Sequence, residues 1–247
     1  MMTSDSRTIA TVCALRRDIL RKVRQVGIAS TLWHATLKAI RKLRKVGRRR
    51  TIDLDRFDST YGTDTGRVVS VGAMDIPNEK LEQTNGYQPI ALDRFLGIMA
   101  EMSIAHEEFV FIDLGSGKGR ALLLASHFPF KKIIGVELSA RLHEIALSNL
   151  RIYKSDLQTC RTIECVCDDA SNFELPLQKL VLFLYNPFRD KIMRSVVSHV
   201  THSINRFPRT IYIAYLSPLH QDLWDHSGSF RVMKKTSTYV IYQSKCA

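Results

Sequence analysis

The chain is 247 residues long, 45% hydrophobic and 24% charged, with a formal net charge of +12. That length suits one α/β domain with an appendage and supports a sizeable core. No apolar run approaches the roughly 18 to 20 residues of a membrane span, and no secretory-signal pattern is visible. The five cysteines (Cys13, Cys160, Cys165, Cys167 and Cys246) form no Cys-x-x-Cys pair, so a cytoplasmic protein with free thiols is expected.

The charge excess is local. Residues 1–50 carry 14 Lys and Arg against Asp5 and Asp18, whereas residues 51–247 carry 22 of each sign. The first 50 residues read as a basic helical arm. Val12, Leu15, Ile19, Val23 and Val26 recur at helical spacing, as do Trp33, Leu37, Ile40 and Leu43. Each run closes on a basic phrase and a glycine, Gly27 or Gly47, which suits a helix C-terminus. Such an arm either packs on the domain with a solvated basic face, contacts an anionic partner (nucleic acid or a membrane surface), or docks a protein substrate. An Arg-rich, acid-poor start also fits a mitochondrial presequence, but two capped helices read as structure rather than as a leader.

Residues 51–88 are rich in turn formers and read as a linker or cap, with Asp58-Ser-Thr-Tyr-Gly-Thr-Asp-Thr-Gly66 and Asn85-Gly-Tyr-Gln-Pro89 as its phrases. Residues 89–247 form the main domain. Leu92, Phe95, Leu96 and Met99 set a helix over 90–102. Phe109-Val-Phe-Ile-Asp-Leu114 is a short apolar run, as a central parallel strand should be. Gly115-Ser-Gly-Lys-Gly119 then turns the chain sharply into a helix from Arg120, and bare glycine backbone and helix N–H groups are expected at a ligand. A dinucleotide fingerprint wants a third Gly or Ala where this chain has Arg120, and no Walker loop is present. Asp113 lies two residues before the first glycine and suits an ammonium or sulfonium centre better than a pyrophosphate.

The second strand, residues 131–137, ends in Glu137, 22 residues after Gly115, where a carboxylate can accept from both hydroxyls of a ribose. A helix follows over 139–153 with Ser139 as N-cap. Strands are expected at 162–167, 180–185 and 209–216, a helix at 191–204, and a late hairpin at 230–233 and 238–242 joined by Lys234-Lys-Thr-Ser237. Asp168-Asp-Ala-Ser-Asn-Phe173 follows the third strand, and Asn186-Pro-Phe188 follows the fourth, where ligands of open α/β sheets bind. The eight histidines form no convincing metal set; His199 and His202, three apart, read as a surface helix pair. The fold class is therefore α/β: a doubly wound, mostly parallel Rossmann-like sheet with a C-terminal antiparallel hairpin, preceded by the basic arm.

Asp113-Leu-Gly-Ser-Gly-Lys-Gly119 resembles motif I of the class I, seven-β-strand S-adenosylmethionine-dependent methyltransferases. The late hairpin is similar to that family's last two strands, of which the final one is antiparallel. The resemblance implies that Asp113, Gly115, Ser116, Gly117 and Gly119 hold the methionine end of S-adenosylmethionine, that Glu137 holds the ribose, and that Asp169, or failing it Asp168, meets the adenine amino group. It makes residues 51–88 a lid, with Tyr61, Asp64, Thr65 and Tyr87 closing over the cofactor. Asn186-Pro187-Phe188 resembles the Asp/Asn-Pro-Pro-Tyr/Phe motif of amino-group methyltransferases without its second proline. Asn186, Pro187 and Phe188 would then position the acceptor, with an amide oxygen and a carbonyl accepting its N–H bonds and an aromatic face holding it. Tyr87-Gln-Pro89 ahead of Asp113 adds a looser resemblance to non-SET protein lysine methyltransferases. The implied activity is direct methyl transfer, without a metal, to a nitrogen of a protein amine, RNA or small molecule. A nicotinamide-dependent oxidoreductase and a non-catalytic module acting through the arm are the competing readings.

Overall fold

The computed structural model describes residues 54–245, so the basic arm, with Cys13 and the terminal Cys246, lies outside the described residues. The β-rich apolar runs form seven strands: β1 (Phe109–Leu114), β2 (Lys132–Glu137), β3 (Ile163–Cys167), β4 (Lys179–Tyr185), β5 (Ile211–Leu216), β6 (Phe230–Lys235) and β7 (Tyr239–Ser244). Between and before them lie α1 (Leu54–Tyr61), α2 (Asn78–Leu81), α3 (Leu92–Glu101), α4 (Arg120–Ala125), α5 (Ala140–Ile152), α6 (Asp190–Arg206) and α7 (Gln221–Asp225).

All seven strands join one sheet in the order β3-β2-β1-β4-β5-β7-β6. The first five pair in parallel, and β7 runs antiparallel to both β5 and β6. This is the doubly wound sheet with an antiparallel final strand that the family resemblance implied. The chain builds outward from β1 to β3, then returns to start β4 on the other side of β1. That reversal leaves a crevice beyond the C-terminal ends of β1 and β4. Among the described residues no helix is long and apolar enough to cross a membrane.

β1 is buried along its whole length because helices cover both faces of the sheet. Its side chains alternate between two cores. Phe109 and Phe111 join Phe95, Phe128 and Phe183 on one side, and Val110, Ile112 and Leu114 join Leu182, Val196 and Ile213 on the other. Asp113 shares the parity of Phe109 and Phe111, so it points to the face that α3 and α4 cover. There Phe95 packs 5.4 Å from Phe183 and 6.0 Å from Phe111, centroid to centroid.

Three departures from expectation have local causes. The cap segment is partly helical: α1 carries Phe57 into the core at 4% exposure and stops at Gly62, whose φ of +70° makes the left-handed exit. Helix α7, unforeseen in the sequence, forms because Trp224 is fully buried edge-on against Phe230. Lys234 and Lys235, expected in the hairpin turn, belong to β6. Thr236 closes the turn instead, its hydroxyl accepting from the N–H groups of Thr238 and Tyr239. The lysines thus lie on the exposed edge strand, where charge discourages pairing with other chains.

Candidate functional site

The crevice holds a cavity enclosing about 820 Å³ of empty space, part of it open to solvent. Its floor is the glycine loop, its walls the tips of β1, β2 and β4, and its roof the cap segment from Met74 to Gln88.

The glycine loop is organised differently from expectation. Gly115, Gly117 and Gly119 all have positive φ (82°, 54° and 81°), which only glycine adopts without strain. The space beside two of them is filled by protein. A Cβ at Gly117 would overlap the Tyr87 ring, and one at Gly115 would lie 2.6 Å from Pro187 Cβ. The glycines let the cap and the tip of β4 close onto the loop. Its first N–H groups are engaged too. Those of Gly115 and Ser116 donate to Val136 O at 2.9 and 3.0 Å, and that of Gly117 donates to Glu137 Oε2 at 2.7 Å.

The acids define the electrostatics. Asp113 is buried at 4% exposure. Burial first, and the nearby Glu137 charge second, push its carboxyl up to about 8. Among the described residues no donor is bonded to that carboxylate. Glu137 is buried as well, and burial raises its carboxyl despite donations from the Ser139, Gly117 and Leu138 N–H groups. Asp168 and Asp169 also line the cavity. Asp168 is exposed and accepts from the Asp169 N–H at 2.7 Å. Asp169 pairs with Lys80 of the cap and accepts from the Ser171 N–H at 2.9 Å. These bonds outweigh burial and hold its carboxyl below the ordinary value.

The Asn-Pro-Phe turn is divided between a cavity and a cleft. Pro187 and Phe188 line the first, with the Phe188 ring near Gly115. Asn186, at a φ of 45°, borders a neighbouring surface cleft with Val69, Ser70 and Ser217. Tyr185, Asn85, Gly86 and Gln88 border both and form the partition. The Asn186 Oδ1 is buried without a hydrogen-bond partner. Both nearby carbonyls are engaged by one cap residue: Asn186 O accepts from Asn85 Nδ2 at 2.9 Å, and Pro187 O from the Asn85 N–H at 3.0 Å. Thr84 pairs antiparallel with Phe188, and the Arg189 N–H donates to Gln83 O at 2.9 Å.

Of the four lid candidates, Tyr87 alone lines the cavity. Its ring sits on Gly117 and its hydroxyl donates to Thr65 O at 2.7 Å. Thr65 is buried behind it. Asp64 turns to Lys118 at 2.8 Å, and Tyr61 packs on Phe57 and Tyr153 away from the site. Sequence reasoning missed Lys80, Asn85 and Asn149. Asn149 donates to Asp64 O and Lys118 O and accepts from the Asp64 N–H, tying cap, loop and α5 together. A buried asparagine on an otherwise apolar helix face was the signal available. Arg120, read in the sequence only as an obstacle to a dinucleotide, also lines the cavity.

No protein-family model matches the chain, and no curated protein matches it. Solved structures that resemble it include a predicted N6-adenine-specific DNA methylase from Listeria monocytogenes, 16% identical, with a TM-score of 0.49 over 64% of this chain and 52% of that one. An rRNA methylase from Streptococcus thermophilus is 13% identical, with a TM-score of 0.39 over 57% of this chain and 89% of the other. A ribosomal protein L11 methylase from Lactobacillus delbrueckii subsp. bulgaricus is 15% identical, with a TM-score of 0.44 over 63% and 77% of the two chains. The fold itself stands on the strand order and pairing above: a Rossmann-like seven-stranded sheet with its last strand antiparallel.

Proposed function

We propose that the chain is an S-adenosylmethionine-dependent methyltransferase acting on a nitrogen of a protein amine, RNA or small molecule. The observation that carries this reading is the charge of the cavity. Asp113, Glu137, Asp168 and Asp169 line it, and the N–H groups of the glycine loop that would cradle a phosphate are engaged by β2. A pyrophosphate would find the loop N–H groups already engaged and the acids Glu137 and Asp168 close by, whereas a cationic sulfonium needs no such donors and is favoured beside those acids. The unpartnered Asp113 carboxyl at the β1 tip fits that ligand's ammonium group.

When bound, S-adenosylmethionine supplies an electrophilic methyl group on a sulfonium centre. Asp113 would accept from its ammonium group, Glu137 from its ribose hydroxyls, and Asp168 or Asp169 from its adenine. Of the two, Asp169 must loosen its pair with Lys80 to do so, whereas Asp168 has a carboxylate open to solvent. Tyr87 and Pro187 seal the glycine loop and exclude water from the methionine end. The Asn186-Pro187-Phe188 turn would position the acceptor at the edge of the first cavity, whose wall Pro187 and Phe188 already line; Asn186 Oδ1, buried in the ligand-free chain, would accept an N–H of the acceptor once the neighbouring cap residues give way. Asn186 orients but does not take the proton, which leaves to solvent, because an amide is no base near neutral pH.

Titration calorimetry with S-adenosylmethionine and, separately, NAD tests the reading. Micromolar binding of S-adenosylmethionine alone, weakened at least about tenfold in Glu137→Ala by loss of a charge-assisted acceptor, is the expected result. Absence of binding to folded protein would move the function to the basic arm. Transfer of labelled methyl from S-adenosylmethionine to protein, RNA or small-molecule fractions then identifies the acceptor, and Asn186→Ala should lower that transfer while leaving cofactor binding unchanged.

A further inference from the structure

The tips of β4 and β5 end in the same unusual way. Tyr185 pairs with Leu216 at the last step of their parallel ladder. The next residue on each strand, Asn186 at a φ of 45° and Ser217 at 50°, turns left-handed. They are the only non-glycine residues with a positive φ among the described residues. Asparagine tolerates that region, whereas serine does so at a greater steric cost. Strained positions of this kind gather at ligand sites. Here the two lie side by side and border one surface cleft.

Residues 68–71 of the cap form another wall of that cleft. Val69 bridges antiparallel to Tyr87, its N–H donating to Tyr87 O at 3.1 Å. In an extended chain, neighbouring residues direct their backbone groups to opposite edges. Ser70 is extended, with φ −69° and ψ 152°, so Val68 and Ser70 present theirs on the edge away from Tyr87. Ser70 O accepts from the Ala73 N–H at 2.9 Å. Among the described residues, nothing is bonded to the Val68 N–H, the Val68 carbonyl or the Ser70 N–H. Val68 is 65% exposed. A short strand edge is therefore free and faces solvent.

The cleft is also uncharged, for no Lys, Arg, Asp or Glu borders it. The two most exposed large hydrophobic side chains among the described residues belong to this region: Val68, and Leu219 at 72%, two residues beyond Ser217. A nucleic-acid strand requires cations along its phosphates, and the cleft supplies none. A free strand edge beside aliphatic side chains is complementary to another extended polypeptide. Tyr185 and Gly86 border both the cleft and the first cavity, so a segment lying in the cleft lies beside the Asn186 turn.

We propose that the Val68–Ser70 edge and the Asn186–Ser217 cleft form the docking surface for a protein acceptor. Its docked part is an extended, uncharged segment that adds as a strand to the cap and places alternate aliphatic side chains in the cleft. This names the acceptor class and rests on the methyltransferase reading above, although the docking itself needs no cofactor. Backbone pairing supplies affinity without a fixed sequence, and the uncharged lining selects the neighbours of the target amine.

Fluorescence anisotropy on the full-length chain, with two pools of lysine-centred heptapeptides, tests the assignment. Flanking positions are drawn from Val, Ile, Leu and Thr in one pool and from Ser, Asn, Gln and Gly in the other. The pools carry equal charge, so the basic arm does not distinguish them. The aliphatic pool should bind at least about tenfold more tightly. Methylating alternate backbone nitrogens of that pool should abolish the preference in one of the two registers, because the paired N–H groups are lost. Val68→Asp should also abolish it while leaving the urea midpoint unchanged, since the side chain is exposed. Equal binding of the two pools, or binding of neither, would overturn the proposal. So would a preference that survives Val68→Asp or backbone methylation in both registers, or labelled methyl entering a single-stranded oligoribonucleotide and neither pool. Calorimetry with S-adenosylmethionine runs beside these measurements. Its failure on folded protein would overturn the cofactor reading alone, because the peptide preference is read without cofactor.

Discussion

Gly117 shows how little room single residues in this site have. Its φ of +54° and the Tyr87 ring above it both forbid a side chain. Gly117→Ala should therefore cost about 2–4 kcal/mol, from left-handed strain plus overpacking. Gly228 has a similar φ of +73° but open space around it, so Gly228→Ala should cost only about 1 kcal/mol. Urea unfolding of the two variants separates the steric part from the backbone part. Asp113 makes a second prediction at this scale. Its folded carboxyl is pushed up to about 8, against an ordinary value of 3.8. The folded ligand-free chain therefore holds a proton that the unfolded chain has released. The associated stability is full below the unfolded value and is lost as pH rises toward about 8, by up to about 1.4 kcal/mol per pH unit. Glu137 acts with the same sign. His127, pushed down to about 4 by burial, stays neutral in the folded chain over this range. Unfolding midpoints measured between pH 6.5 and 8 should fall in the wild type and fall less in Asp113→Asn.

Among the elements, the cap is the part whose role was least legible. Its turn-rich composition predicted a loop, yet the segment becomes a second layer of the site through contacts far away in sequence. Asp75 receives the Arg141 N–H at the start of α5 and the Ser139 hydroxyl, Lys80 meets Asp169, and Gln83–Asn85 run beside the β4 tip. Hydrophobic periodicity carries no trace of such polar, long-range pairing. Asn85 is the centre of the clamp. Asn85→Ala should leave the Asn186 carbonyl without its side-chain donor, at about 1 kcal/mol. It should speed proteolysis within residues 62–88 while the global urea midpoint moves little, because the cap opens without the sheet. The strands, by contrast, were readable to within a residue or two, since an apolar run of five to seven residues bounded by turn formers has few other uses. Their errors lie where charge meets an edge, as at Lys234 and Lys235.

At the scale of the whole molecule, the charge divides the chain into two parts. Residues 51–247 are balanced, and the excess belongs to residues 1–50. We propose that the arm brings the neutral domain to an anionic acceptor or surface. Changing the Lys and Arg of residues 41–50 to Gln should weaken polyanion binding, with a shallower salt dependence, and leave S-adenosylmethionine affinity unchanged. Co-sedimentation with RNA at two ionic strengths, beside calorimetry, checks both halves of that statement.

The sequence alone determined the sheet, the glycine turn and the placing of acids at the strand tips, because short apolar runs and glycine's conformational freedom are local properties written in neighbouring residues. Only the tertiary structure decided what those acids face. It set Arg120 beside Asp58 and left Asp113 without a donor, placed Asn186 on a cleft and Phe188 on the cavity, and used the glycines to seat Tyr87 and Pro187. The reason is physical: whether a buried charge is matched depends on every group that reaches it through space, and those groups come from Asp58 to Phe188, across most of the described chain.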